Sequence, residues 1–364
     1  MKKLLYLLTS LSLLVGVFTG CEKPNKNGEE GGGTPTEKTG TIKGVVTDKG
    51  TGNPLSGVTI ELQPTGKQVQ TAEDGVYILE NLKAGSYTLK AQKDGYVDYA
   101  KEGIQLVADQ ISQFDIELEG EDYTETAFGL RLEMVYVEGG TFEMGATVEQ
   151  GDDAQDWEKP VRMVKLDGYH IGKYEVTQAQ WEKVMGITFE EQKEIAGMEN
   201  RDVVGEGSDY PMYYVKWEEA QAFCKKLSEA TGMKYVLPTE AMWEYAARGG
   251  KKSQHYKYVG SNDVEEVAWY KDNSDEKAHS VGLKKANELG IYDMSGNLCE
   301  YCSDWYADRY DENDTDNPQG PDSGSFHVNR GGFWNSRAVY CRVSERYRGD
   351  GRVYSVGFRV AVLP

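Results

Sequence analysis

A chain of 364 residues with 39% hydrophobic and 27% charged residues can bury a sizeable core and exceeds the usual size of one domain, so two folded parts are expected. Its 42 glycines, 24 tyrosines and 7 tryptophans, set against 10 prolines, favour turns and aromatic-rich irregular structure over a helical bundle. The formal net charge of -20 excludes nucleic acid, whose phosphates would be repelled before any specific contact formed, and leaves divalent cations or basic partners.

Lys2 and Lys3 precede the apolar run Leu4 to Phe18, which is short for a bilayer span and ends in Phe18-Thr19-Gly20-Cys21. This is the layout of a bacterial lipoprotein signal over residues 1–20 with its lipobox, and it makes Cys21 the lipidated residue. Several acyl chains on one terminus anchor stably where a single chain does not. Residues 21–40 are rich in Gly, Glu, Lys and Pro with almost nothing apolar, which reads as a flexible tether. The expected setting is the cell envelope, with the membrane as a partner through the anchor and the outer membrane as its site, on the periplasmic or surface face.

Residues 41–119 change to short segments with apolar residues at every second position, such as T-I-K-G-V-V-T-D, G-V-T-I-E-L-Q and G-S-Y-T-L-K-A, separated by Gly, Asn, Asp and Pro. An all-β sandwich is expected. The phrases G-T-G-N-P-L-S-G-V, E-D-G-V-Y and L-K-A-G-S-Y-T-L-K-A-Q-K-D-G-Y resemble the carboxypeptidase regulatory-like (transthyretin-like) domain, which implies a spacer or a platform. No nucleophile with a base and no ligand cluster stands here, so the segment is read as a stalk.

Residues 120–129 are polar and acidic and are read as a linker, with a second domain over 130–364. Met134 to Gly145, M-V-Y-V-E-G-G-T-F-E-M-G, reads as strand, Gly-Gly turn and strand. Val161, Met163 and Leu166 suit a further strand, and Thr177 is placed to cap a helix carrying Trp181. His170, alone on this apolar segment, is expected to be structural. From Pro211 to Gly232, Trp217, Ala220, Phe223, Cys224 and Leu227 recur at three and four, which predicts a helix that Gly232 ends and in which Cys224 is core. Thr239 then caps a helix carrying Trp243, Ala246 and Ala247.

The chain closes on Asn329 to Arg359, where R-G-G at Arg330 to Gly332, Y-C-R at Tyr340 to Arg342 and G-F-R at Gly357 to Arg359 stand as fixed points. With the G-G-T-F-E-M-G core and L-P-T-E-A-M-W-E-Y-A-A-R-G at Leu237 to Gly249, these resemble the formylglycine-generating enzyme (sulfatase-modifying factor) family. The resemblance implies an α+β, C-type lectin-like fold with much irregular structure.

Between Gly290 and Tyr306, Asp293 and Glu300 flank a Gly-Asn turn, an arrangement of carboxylates and carbonyls that suits calcium. The resemblance puts the family's calcium ligands on Asp293, Gly296, Leu298 and Glu300. The alternative is a solvated turn held by Asn297. Cys299 and Cys302 form a C-x-x-C, but zinc would need two more ligands, and the family's usual Trp at 299 marks this thiol as a substitution. A disulfide among Cys224, Cys299, Cys302 and Cys341 is permitted by an oxidising envelope.

Family members oxidise a sulfatase cysteine with two thiolates holding copper(I), a soft ion that needs soft ligands. The resemblance places the later thiolate on Cys341 and the earlier on Ser336, a weak and hard ligand. Phe333 stands for the family's Ser and Arg337 for a His, so neither copper nor the oxidase activity is expected. Ser336 has no evident base for hydrolysis, because His255, His279 and His327 fall in polar loops without a triad pattern.

What remains is Trp334, Asn335, Arg337, Tyr340, Arg346, Tyr347, Arg348 and Tyr354, large rigid contact groups among adaptable polar ones, as in a paratope. The layout resembles that of lectin-like relatives with a hypervariable C-terminal segment on bacterial surface lipoproteins. The expected role is to bind a protein or a glycan. The alternative is a retained metal-dependent oxidase in the same cleft.

Overall fold

A computed structural model describes residues 38–363 apart from Val203, so the signal, Cys21 and nearly all of the tether lie outside the described residues. Alternating apolar positions build the N-terminal part from β1 (Thr39–Asp48), β2 (Thr59–Gln63), β3 (Lys67–Gln70), β4 (Val76–Lys83), β5 (Gly85–Gln92), β6 (Tyr99–Leu106), β7 (Ile111–Gln113) and β8 (Ile116–Leu118). One sheet runs β4-β1-β7 with β8 also on β1, the other β3-β2-β5-β6. Every second residue points inward, so Ile42, Val46, Ile60, Leu62, Leu79, Leu89, Ile116 and Leu118 close the core between them.

The segment expected to be a linker is structural. It contains β9 (Tyr123–Glu125), which pairs with β10 (Leu132–Val137), and Glu125 is buried against the Tyr235 hydroxyl at 2.8 Å. Three residues carry too short a pattern to read as a strand from sequence.

The head continues with β11 (Gly140–Met144), β12 (Arg162–Leu166), β13 (Tyr169–Gly172), α1 (Gln178–Met185), α2 (Phe189–Ile195), α3 (Trp217–Thr231), β14 (Lys234–Val236) and α4 (Glu240–Ala247). It ends with β15 (Cys299–Trp305), β16 (His327–Arg330), β17 (Arg346–Arg348), β18 (Val356–Gly357) and β19 (Ala361–Leu363). Its sheets run β14-β19-β13-β10-β9, β11-β12 and β17-β16-β15-β18. The strand at β12 forms, but with Val164 and Leu166 inward and Val161 and Met163 exposed, because the hairpin with β11 fixes the opposite register. Thr177 caps α1 in a reciprocal capping box, Thr239 caps α4, and α3 ends at Gly232 with φ +76. Phe358 of the G-F-R lies edge-on to Trp181 of α1 at 6.2 Å and to Phe223 of α3 at 5.4 Å. Thus the chain's end is packed into the head's core. Among the described residues no helix is long and apolar enough to cross a membrane.

His170 has the structural role expected of it. It is buried, its Nε2 lies 3.1 Å from the Gly95 carbonyl and 3.0 Å from that of Glu121, and burial lowers its pKa. Tyr96 and Tyr136 pack their rings near it, and both hydroxyls donate to Asp48 Oδ2 at 3.1 Å. Sandwich and head are therefore joined by a buried polar junction.

Candidate functional site

The closing stretch is held by its arginines. Arg330, Arg342 and Arg359, one from each fixed point, have no exposed surface. Arg330 donates to Glu240 at 2.8 Å and Glu244 at 2.6 Å, both on α4. Arg342 donates to Glu158 at 2.5 Å and Glu345 at 2.6 Å, and Arg359 forks onto Glu300 with two bonds of 2.6 Å. Planar guanidinium against carboxylate is the geometry in which a buried charge is tolerated. These residues are the frame of the site, not its working surface.

Glycine completes the frame. Gly332 has φ +74, and a Cβ there would lie 2.6 Å from the Tyr340 carbonyl and 3.0 Å from Cys341 Sγ. The R-G-G turn can therefore close onto Cys341 only without a side chain.

Ser336 is buried in a local turn: its hydroxyl accepts the Phe333 amide at 3.1 Å, and its own amide donates to the Phe333 carbonyl at 2.8 Å. Cys341 is fully buried, and burial followed by the charge of Glu345 pushes its thiol up to about 12. A thiol so held is protonated at neutral pH and is a poor nucleophile. Cys299 is raised by burial first and by Cys341 second, which marks the two as electrostatic neighbours, one of the pairings that the sequence leaves open among the four cysteines.

All four described cysteines are free and buried. Cys299 and Cys302 stand three apart on β15, so the alternation of a strand sends them to opposite faces and into different parts of the core. The C-x-x-C is neither a redox pair nor half a zinc site for that reason.

The expected binding residues divide. Asn335, Arg337, Arg348 and Tyr354 are exposed, and Tyr340 and Tyr347 are half-buried. Arg337 lies over the Tyr340 ring at 4.9 Å and donates to its hydroxyl at 2.8 Å, while Tyr347 donates to the Tyr340 carbonyl at 3.0 Å. Trp334 is 6% exposed and packs on Tyr354 at 5.5 Å, so it supports the face more than it presents itself. Arg346 does not belong with them. It is buried, with Nη2 bonded to Glu240 at 2.8 Å and Nη1 to the Trp157 and Ala307 carbonyls. Alternation along β17 turns Arg346 and Arg348 one way and Tyr347 the other.

The expected calcium ligands also divide. Both oxygens of Glu300 accept from Arg359, and Trp243 Nε1 adds a third bond at 2.6 Å, so its charge is already neutralised and it is withdrawn as a ligand. Asp293 is different. Its Oδ2 accepts the Gly282 amide at 2.7 Å, while Oδ1 is buried without a partner among the described residues, and burial raises the carboxyl to about 6. Glu175, which has no local signal in the sequence, accepts the Leu298 amide at 3.0 Å and the Asn297 amide group at 2.6 Å. Burial, then Asp293, then Glu300 hold its pKa well above the carboxylate range. Of these two neighbouring buried carboxyls only Asp293 has an oxygen without a partner among the described residues. Even so, among the described residues no three His, Cys, Asp or Glu side chains converge as a complete metal site, and Gly296 and Leu298 have only carbonyls to offer.

His327 was placed in a polar loop by sequence and is instead buried on β16. Its ring is stacked between Trp217 at 3.6 Å and Trp305 at 3.8 Å, and Nδ1 bonds Asp350 at 2.9 Å. His279 stacks on Trp269 at 3.8 Å. Neither is paired with Ser336.

With this frame in view, the sulfatase-modifying factor enzyme 1-like domain matches residues 123–363. The chain belongs to that family. The carboxypeptidase regulatory-like domain matches residues 41–119. Relatives of this family member include chaperone protein LppX of Paenibacillus barcinonensis, 31% identical over 280 residues, covering 63% of this chain and 88% of that protein. The formylglycine-generating enzyme of Mus musculus is 28% identical and covers 63% of this chain and 74% of its own. Treponema denticola variable protein 1 superposes with a TM-score of 0.57 at 31% identity over 67% of this chain and 99% of that one.

Proposed function

We propose that this family member is a lipid-anchored envelope protein whose head binds a protein or glycan through its C-terminal face, and that it does not carry out the family's thiol oxidation. The observation that carries the second half is Ser336. A copper(I) centre needs two soft thiolates, whereas residue 336 has a hydroxyl already bonded to the Phe333 amide, and Cys341 is a buried, protonated thiol. The residues present do not fit the ion, so no oxidative step is derived from them.

The binding half is supported by Asn335, Arg337, Tyr340, Tyr347, Arg348 and Tyr354, which share the stretch beyond the buried arginines and keep exposed or half-exposed side chains. Tyrosine brings large area with few rotors, and Asn and Arg bring adaptable hydrogen bonds. The relatives named a chaperone and a variable protein are compatible with a head that grips without turnover. An anchored tether would present that head away from the membrane surface, with Cys21 carrying the lipid.

A second reading, a retained oxidase, draws on Cys299, a thiol near Cys341. One pair of measurements separates the two. Copper(I) titration with a thiol-to-aldehyde assay on a C-x-P-x-R peptide is expected to give no turnover, and stoichiometric loading with aldehyde formation would sink the binding-only reading. In parallel, a glycan array and a panel of purified envelope proteins are screened against the wild type and against Asn335→Ala, Arg337→Ala and Tyr354→Ala combined. A ligand whose signal survives the triple substitution unchanged would remove the face from the proposal. Incorporation of labelled palmitate, lost in Cys21→Ser, tests the anchor.

A further inference from the structure

A second feature of the head lies apart from that face. Between β15 and the loop after it is a cleft of about 530 Å³, large enough for a side chain or a small ligand. At its inner wall stands Asp304, 4% exposed. Its Oδ2 accepts the Glu240 amide at 2.8 Å, capping α4, and the Ser303 hydroxyl at 3.0 Å. Its Oδ1 accepts a bond from no donor among the described residues, although Asp304 lines the cleft. That oxygen is reached from the cleft and is not sealed in the core, so an incoming donor can meet it.

The rest of the wall says what would. Asp311, Asp314, Asp316 and Asp322 also line the cleft, and Asp311, Asp316 and Asp322 are exposed. Three arginines line it too, but two are committed. Arg346 is forked onto Glu240, and Arg162 donates to the Asp311 carbonyl at 2.6 Å and the Asp314 carbonyl at 2.8 Å. The third, Arg309, is exposed, and Lys165 pairs with Asp316 at 3.7 Å, so Asp304, Asp311, Asp314 and Asp322 are what leave the remaining field negative. A bare metal ion is disfavoured, because among the described residues no three acidic, His or Cys side chains converge on one point. The cleft is instead shaped for a larger cation with an apolar stem. Trp305 gives it an aromatic wall, and its neighbour Tyr310 already carries guanidinium groups on its ring, Arg346 at 4.1 Å and Arg162 at 4.8 Å.

We propose that this cleft receives one basic side chain of a peptide, a guanidinium or ammonium, with Asp304 as its buried counter-ion and the acidic rim drawing it in. Steering by a rim of like charges acts at a distance and weakens with salt. Entry of the cation is coupled to a proton. Burial, then the charge of Glu240, hold Asp304 up to about 7, with Arg346 the charge that pulls the other way. Pairing with an incoming cation would ionise it, so binding near neutral pH releases part of a proton to the buffer.

The probe is N-acetyl-arginine amide, with N-acetyl-citrulline amide as its neutral match, titrated calorimetrically into the whole protein in two buffers of different ionisation heat. The expected result is saturable one-to-one binding of the arginine compound alone, weaker at high salt, with heat that differs between the buffers. Asp304→Asn keeps an amide oxygen to cap α4 and should weaken binding by roughly tenfold or more. If that variant does not fold, Asp311→Asn with Asp322→Asn, both on the exposed rim, should weaken it by a few-fold. Equal binding of citrulline, undiminished binding by folded Asp304→Asn or by the rim variant, or saturation by calcium without any by arginine would each overturn the proposal. The triple substitution at 335, 337 and 354 leaves this binding intact, so failure of the face and failure of the cleft are separate results.

Discussion

Residues 330–364 hold arginines of two kinds, with the half-buried Arg352, paired with Glu219 at 2.6 Å, between them. Arg330, Arg342, Arg346 and Arg359 are buried, and each donates to at least one glutamate carboxylate. Arg337 and Arg348 are exposed and touch tyrosine rings. The same side chain serves as frame in one set and as surface in the other. What decides between them is the partner, because a guanidinium can leave water only where a carboxylate meets it in plane. The buried set fixes the loop so that the exposed set has a defined place from which to act.

The largest test of this contrast removes a partner from the frame. Glu244→Ala leaves Arg330 and Arg248 each short of a buried carboxylate and should cost about 3–5 kcal/mol, read as a lower urea midpoint. Adding Arg330→Met to it should recover part of the loss; no recovery would mean that the pair is not what binds α4 to the closing stretch.

Asp304 tests the same rule in a carboxyl that forms no ion pair among the described residues. Folding raises it from 3.8 to about 7, so the folded state holds a proton that the unfolded chain releases. Its contribution is full below about pH 4 and is lost as pH rises to about 7, on the order of a few kcal/mol. Asp304→Asn should flatten the stability profile in that window, and an unchanged slope would show the group to be ionised throughout.

Calcium is expected to act on the orphaned Oδ1 of Asp293. If it binds there, saturating calcium raises stability by about 2.7 kcal/mol at a hundredfold excess over its dissociation constant. The rise, followed by thermal melting with and without chelator, should vanish in Asp293→Asn. The smallest effect belongs to the exposed set, where Arg337→Ala should change stability by less than about 0.5 kcal/mol while weakening any ligand bound at the face.

Much of the frame was legible because its signals are local. The three-and-four spacing of Ala220, Phe223, Cys224 and Leu227 with Gly232 behind it gives α3, and Thr177 and Thr239 begin their helices where a capping residue should. The fixed points of the closing stretch could be recognised, but not what they do. Arg342 meets Glu158 across 184 positions, and Glu175 finds Asn297 across 122, separations at which no pattern along the chain survives. The same limit moved Glu300 from metal ligand to arginine partner, and Arg346 from surface to core. Residues 120–129 were misread for the opposite reason, since acidic composition masked a strand of only three residues.

The junction at His170 has a practical consequence for anyone dividing this molecule. Severing it near residue 120 would strip Tyr96 from the imidazole and leave the Tyr136 hydroxyl without Asp48. A cropped head would then expose an aromatic scar and should self-associate, whereas pieces begun ahead of Thr39 would keep that seam sealed.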